Sequence, residues 1–248
     1  MIEHRVIQTA AGLLFTCEEE RRLARLPFRP YGPRREMVVG LGLPEPPDYN
    51  ARMKAVFLEK CPAAQERKYI LFLGRIHPKK GVDLLIKAYS SLCSSSDKVL
   101  LPILVIAGPG MEGAYAQNMK RLASTMCPIN SVLWPGMLTG DAKWGALYNC
   151  EASILPSHQE NFGIAVVETL ACGRPVLISD QVNIWREIKE DGAALVGKPS
   201  VEGTAQLILG WIGLSAQIRS QMAAQAKSSF QRHFNIENST LKLMEALG

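Results

Sequence analysis

From residue 69 onward the 248-residue chain repeats one unit, a short apolar run followed by a helical stretch. The apolar runs cover residues 69–73 (YILFL), 100–107, 132–134, 152–155, 175–179 and 194–196. The helical stretches between them cover 81–92, 112–126, 141–149, 163–172 and 183–189. Runs this short and this apolar suit strands buried on both faces, and strands that alternate with helices pair in parallel through crossovers. The expected fold is therefore α/β, a doubly wound parallel sheet of Rossmann-like type. Two helices close the chain, over 201–234 and 236–247.

Upstream the pattern is weaker. Strands are expected at 12–16 and 35–42, with a helix between them that opens Cys17-Glu-Glu-Glu and closes on arginines, as the helix dipole favours. Pro44-Glu45-Pro46-Pro47 then starts a polar stretch. The expected division is a piece at 1–45 too small to form a core of its own, a linker at 46–68, a ligand-binding domain at 69–235 and a C-terminal helix at 236–248. Ser94-Ser95-Ser96 reads as a short turn.

Charge and cysteine usage narrow the function classes. A net charge of +5 is compatible with a phosphate-bearing ligand but too small to indicate nucleic acid. Six arginines, Arg21, Arg22, Arg25, Arg29, Arg34 and Arg35, form a local basic patch. It reads either as a solvated face or as a contact with lipid headgroups. Six cysteines without a C-x-x-C pair suggest reduced thiols and no zinc site, and no apolar run reaches the roughly 18 residues of a membrane span. The expected location is cytoplasmic, with the inner membrane face as the alternative for the basic patch.

The stretch from Leu155 to Asp180, LPSHQENFGIAVVETLACGRPVLISD, reads strand, loop, helix, strand. Its helix is apolar or small on every face except at Glu168, so a carboxylate is expected in buried surroundings. That requires a cation, several donors or a ligand. Asn161-Phe162-Gly163 leads into the helix, whose first N–H groups have no intrahelical partner and suit an anion or a hydroxylated ligand. Glu160 precedes them, so both carboxylates could line one crevice at the carboxyl edge of the sheet. The plainer alternative leaves Glu160 in solvent and pairs Glu168 with an arginine.

After the first regular strand, Gly74-Arg75-Ile76-His77-Pro78-Lys79-Lys80-Gly81 sets two cations, Arg75 and Lys80, beside a helix start. That arrangement suits a diphosphate; two surface bases on a loop is the alternative reading. Gly108-Pro109-Gly110-Met111-Glu112-Gly113 matches G-x-G-x-x-G, but no acidic residue follows in the 128–135 stretch and Pro109 sits in the turn. A nicotinamide cofactor is therefore not expected, and these glycines read as turn geometry. No D-x-D and no G-x-S-x-G occurs, and the four histidines lack metal-ligand spacing. No metal ion and no cofactor is expected.

Together, GRIHPKKGVDLLIKAY and PSHQENFGIAVVETLACGRPVLISD resemble the retaining glycosyltransferases of family 4, which have the GT-B fold. The resemblance implies transfer of a hexose from a nucleotide-diphosphate sugar, with retention and without a metal. It implies that Arg75 and Lys80 hold the donor diphosphate, that Glu160, Asn161, Phe162 and Gly163 hold the sugar, and that Glu168 takes the ribose hydroxyls. Asn161 stands where glycine is commoner. The resemblance also implies a facing N-terminal domain that binds a glycan or lipid acceptor, of which residues 1–45 would be the end. The competing reading is a nucleotide-sugar-binding module that lacks the acceptor half; an epimerase of the same fold fits the Glu-x7-Glu element poorly.

Overall fold

The computed structural model describes residues 2–27, 29–94 and 100–248. Ser95 and Ser96 of the expected turn lie outside them. The elements in chain order are α1 (Ile2–Thr9), β1 (Leu13–Phe15), α2 (Glu18–Ala24), β2 (Glu36–Val38), α3 (Ala51–Lys60), β3 (Tyr69–Leu73), α4 (Val82–Cys93), β4 (Ile103–Ala107), α5 (Ala114–Met126), β5 (Val132–Gly136), α6 (Gly140–Asn149), β6 (Ala152–Leu155), α7 (Ile164–Ala171), β7 (Val176–Ser179), α8 (Trp185–Glu190), β8 (Ala194–Gly197), α9 (Val201–Gly213), α10 (Ala216–Ser229) and α11 (Ile236–Leu247).

Six strands form one parallel sheet in the order β5-β4-β3-β6-β7-β8. The chain builds outward from β3 in one direction and then returns to start again at β6, which makes the sheet doubly wound. Two-residue alternation decides which face each side chain fills. Ile70, Phe72, Leu104 and Ile106 enter one layer of the core, with α4, α5, α7 and α9. Tyr69, Leu71, Ile103 and Val105 enter the other, with α3 and α6. Pro135 sits in β5, at the sheet edge, where its missing N–H breaks no central ladder; the register shifts beside it, between Val105 and Ala107.

Beside α1, which the sequence reading left unassigned, three segments depart from it. Within the stretch expected as linker, Ala51–Lys60 is helical, capped by Asn50, whose Oδ1 accepts from Met53 N at 3.2 Å. This helix, α3, buries Met53 and Phe57 against α6, where Gly145 lets the backbones meet. A Cβ there would lie 2.0 Å from the Met53 carbonyl oxygen. Only two inward apolar residues, one turn apart, gave the sequence little periodicity to show. Phe57 is 1% exposed, so Phe57→Ala should destabilise by about 3–5 kcal/mol, as for other buried aromatics cut to alanine. Denaturant unfolding measures it, and a near-neutral result would mean that α3 is not part of the folded unit.

The second departure is in 201–234, expected as one helix. Leu214 is extended and Ser215 restarts the helix, its Oγ accepting from Ile218 N at 3.3 Å, so α9 and α10 are separate. A wide π-type turn, Phe230–Phe234, ends α10. Third, the strand expected at 35–42 is paired only over Glu36–Val38, in a two-stranded parallel sheet with β1.

Residues 40–43 are tied instead to the far end of the chain. Leu43 N donates to Phe234 O at 2.8 Å and Ile236 N to Leu43 O at 3.0 Å, while a Cβ on Gly42 would lie 2.3 Å from Ile236 Cα. Glu19 of α2 fastens the N-terminal piece to α8, accepting from Arg186 at 3.1 and 3.2 Å. Of the six clustered arginines, Arg21, Arg22 and Arg25 pair with Glu18, Glu19 and Glu36. All six thiols are free, and burial pushes those of Cys150 and Cys172 up to about 12. Among the described residues no helix is long and apolar enough to cross a membrane.

Candidate active site

The two strands at which the winding reverses, β3 and β6, lie side by side. Their outgoing loops therefore diverge and leave a crevice at the carboxyl edge, the place where open α/β sheets bind ligands. Both motifs singled out in the sequence are these two loops.

The loop after β3 is held by its neighbours on each side. Gly74 N donates to Ala107 O at 3.0 Å and Ile76 N to Pro109 O at 2.9 Å. Gly108 has φ +143, and a Cβ on it would lie 1.9 Å from the Gly74 carbonyl oxygen. The G-x-G-x-x-G glycine thus serves a close approach of two loops, as its reading as turn geometry expects. On the other side the loop after β6 grips Lys79: its carbonyl accepts from His158 N at 2.9 Å and from Ser157 Oγ at 2.8 Å. His77 caps the single turn Pro78–Lys80, Nδ1 accepting from Lys79 N at 3.2 Å.

Across this seam Lys80 Nζ forms an ion pair with Glu160 Oε2, with both side chains mostly buried at 18% and 17% exposure. Burial, and after it the charge of Arg75, hold the Lys80 ammonium below the ordinary lysine range. Arg75 itself is exposed and is absent from the lining of the crevice. The Glu160 backbone is pinned in turn, its N–H donating to Gln181 O and its carbonyl accepting from Asn183 N, each at 2.9 Å.

Asn161, Phe162 and Gly163 follow as the lip of α7. Gly163 has φ +80, the left-handed conformation that lets the chain turn into the helix. Phe162 is buried edge-on against Phe234, with ring centroids 5.8 Å apart. Asn161 is exposed and bridges two other segments: its Nδ2 donates to Glu20 Oε1 at 3.2 Å, and its Oδ1 accepts from Asn183 Nδ2 at 3.0 Å.

Glu168 lies in the second turn of α7 and is 18% exposed, less enclosed than the helix composition suggests because the carboxylate opens on the crevice. The cation it requires is Lys143 of α6, whose Nζ donates to Oε1 at 2.7 Å and lies 4.1 Å from the Trp144 ring centre. The sequence reading missed Lys143. Its only signal is that it is the one basic side chain of α6, which carries no spacing to a carboxylate 25 positions away.

The crevice measures about 480 Å³. Leu41, Met137 and Leu138 give it an apolar wall, while Lys80, Glu160, Lys143 and Glu168 supply its charge. Apolar walls with few convergent polar groups, at this volume, suit a small organic ligand oriented by a few polar contacts.

Fold and crevice define a doubly wound α/β domain with a ligand site at its switch point. The group 1 glycosyl transferase family model matches residues 54–229, and the chain belongs to that family. The match begins within α3, inside the stretch expected as linker. The D-inositol 3-phosphate glycosyltransferase of Kineococcus radiotolerans is 27% identical over 213 residues, 83% of this chain and 47% of that protein. Its counterpart from Jonesia denitrificans is 25% identical over 243 residues, 93% of this chain and 55% of the relative. The chain thus spans about half the length of these curated relatives. Among solved structures, sucrose-phosphate synthase of Thermosynechococcus elongatus superposes with a TM-score of 0.78 at 18% identity, over 100% of this chain and 60% of that one. Anabaena HepE in complex with UDP-glucose gives 0.76 at 16% identity, over 98% and 65%. These likenesses are of fold.

Proposed function

We propose that this chain carries the donor-binding half of a retaining glycosyltransferase, which moves a hexose from a nucleotide-diphosphate sugar to a glycan or lipid acceptor. The observation that supports this most is the convergence of Lys80, from the loop after β3, with Glu160 and Glu168, from the loop after β6 and α7, on one crevice at the switch point. In this reading the diphosphate lies against Lys80 and the α7 N-terminus, with exposed Arg75 swinging in from the crevice mouth. Their positive charge takes up what develops on the leaving group, a role that needs no metal ion. Glu160 orients the sugar, the 161–163 stretch holds it, and the acceptor attacks from the face the diphosphate vacates.

Glu168 takes the ribose hydroxyls. Lys143 occupies its Oε1, so Oε2 is the oxygen that faces ribose, and the ammonium keeps the carboxylate aimed. The base lies along Met137 and Leu138. Residues 1–45 belong, in this proposal, to the acceptor-side domain.

Calorimetric titration of the chain with UDP, GDP and ADP and their common sugars tests the reading, beside Glu168→Ala and Arg75→Ala. One base should bind, and each substitution should weaken it by about tenfold or more, the size of a lost charge-assisted contact. Binding that ignores both substitutions would place the nucleotide elsewhere and overturn the assignment.

A further inference from the structure

The crevice holds two cation–carboxylate pairs that differ in what a ligand would ask of them. Lys143 meets a carboxylate assigned to neutral hydroxyls, which can donate to the second oxygen and leave the pair intact. Lys80 meets Glu160 at the position assigned to a diphosphate. A dianion competes with Glu160 for that ammonium, whereas a hydroxyl does not.

The backbones on both sides of this second pair are fastened. Lys79 O is held by Ser157 and His158, Gly81 abuts the Pro156 carbonyl, and Glu160 is bonded through its N–H and its carbonyl to the loop after β7. Movement is thereby left to the side chains, and lysine has the long flexible stem to make it. Because both groups are mostly buried, breaking the pair without replacement leaves an uncompensated charge, which is far costlier than a swap of partners.

We infer that Lys80 and Glu160 are an exchange pair: the diphosphate draws the Lys80 ammonium from Glu160, and the freed carboxylate then accepts the hydroxyls of the attached sugar. This rests on the nucleotide-sugar reading of the site. The sugar-orienting group becomes available only once a diphosphate is seated, and a nucleoside diphosphate without its sugar leaves Glu160 with no partner. The pair thus favours the intact donor over the spent nucleotide.

The test is a double-mutant cycle on the full chain, Glu160→Gln, Lys80→Met and both together, titrated calorimetrically with UDP, GDP and ADP and with the matching nucleotide sugars. Thermal melts check that each variant folds, with Glu160→Ala as a second substitution at that position. Glu160→Gln should bind the sugar-free nucleotide about tenfold tighter, as expected when a competing counter-ion is removed. It should gain less for the nucleotide sugar, because the neutral amide accepts the sugar hydroxyls more weakly than the freed carboxylate does. In the Lys80→Met background the gain should vanish. Equal tightening in both backgrounds would reduce the effect to through-space repulsion and overturn the exchange. So would unchanged or weaker binding by Glu160→Gln while Lys80→Met still weakens binding, although the nucleotide reading would then stand. If wild type and variants bind none of the nucleotides, the reading itself fails and the exchange with it.

Discussion

Lys80→Ala, in the full-length context that supplies the acceptor side, is expected to lower kcat by about a hundred- to a thousandfold, the loss typical of one preorganised donor aimed at developing charge. Two features put the effect at that size. The ammonium is mostly buried, and it is positioned by a seam of backbone hydrogen bonds. Lys79→Ala is the matched control, since that side chain is exposed and only its backbone serves the seam. Steady-state kinetics with the donor identified by titration decide the matter. A Lys80→Ala enzyme that turns over like wild type would remove Lys80 from the mechanism. The pH profile should carry a second mark of the same residue. Lys80 acts as the cation and its pKa in the free chain is depressed by burial and by Arg75, so kcat/KM should fall on the alkaline side at a pH below that at which an ordinary lysine deprotonates.

Gly81→Ala is expected to change stability and site together. Gly81 has φ +72, and a Cβ on it would sit 2.1 Å from the Pro156 carbonyl oxygen and 2.9 Å from its carbon. Left-handed backbone costs a Cβ-bearing residue about 1–2 kcal/mol and overpacking a further 1–3, so the loss should reach about 2–5 kcal/mol. Gly140→Ala separates the two parts: it has φ +51 with open space around its Cβ position, and should show the backbone cost alone. Equal denaturant midpoints for the two variants would mean that the seam between the loops is loose. Because the clash lies between backbones, Gly81→Ala should also part Lys80 from Glu160 and weaken nucleotide binding.

What the sequence disclosed follows from the physics of each element. A strand buried on both faces must be apolar throughout, so Tyr69–Leu73 and Ala152–Leu155 were legible to the residue. The glycine-bearing loops were legible because few other residues fit them. Helix α3 was hidden because it buries one narrow stripe, and the α9–α10 break because its cause is a single serine cap in a stretch that is otherwise helical in composition. Glu168 showed that a cation, several donors or a ligand was required, since an acid in an apolar helix is anomalous anywhere. Lys143 as that cation was not legible, since the pairing depends on how α6 lies beside α7 and not on any local spacing.

The joint between residues 40–43 and 234–239 bears on how the molecule is made. Synthesis runs from the N-terminus, so the β3-to-β8 sheet can close while its last partners are still within the ribosome. Leu43 must wait for Phe234 and Ile236, nearly two hundred positions later, before its backbone is satisfied. That closure is the most non-local in the fold and belongs to the end of folding. Phe234 also carries the edge-on contact to Phe162, so the sugar-side lip of the crevice is finished in that same late step. A nascent chain stalled before residue 234 would hold its sheet and lack a finished site.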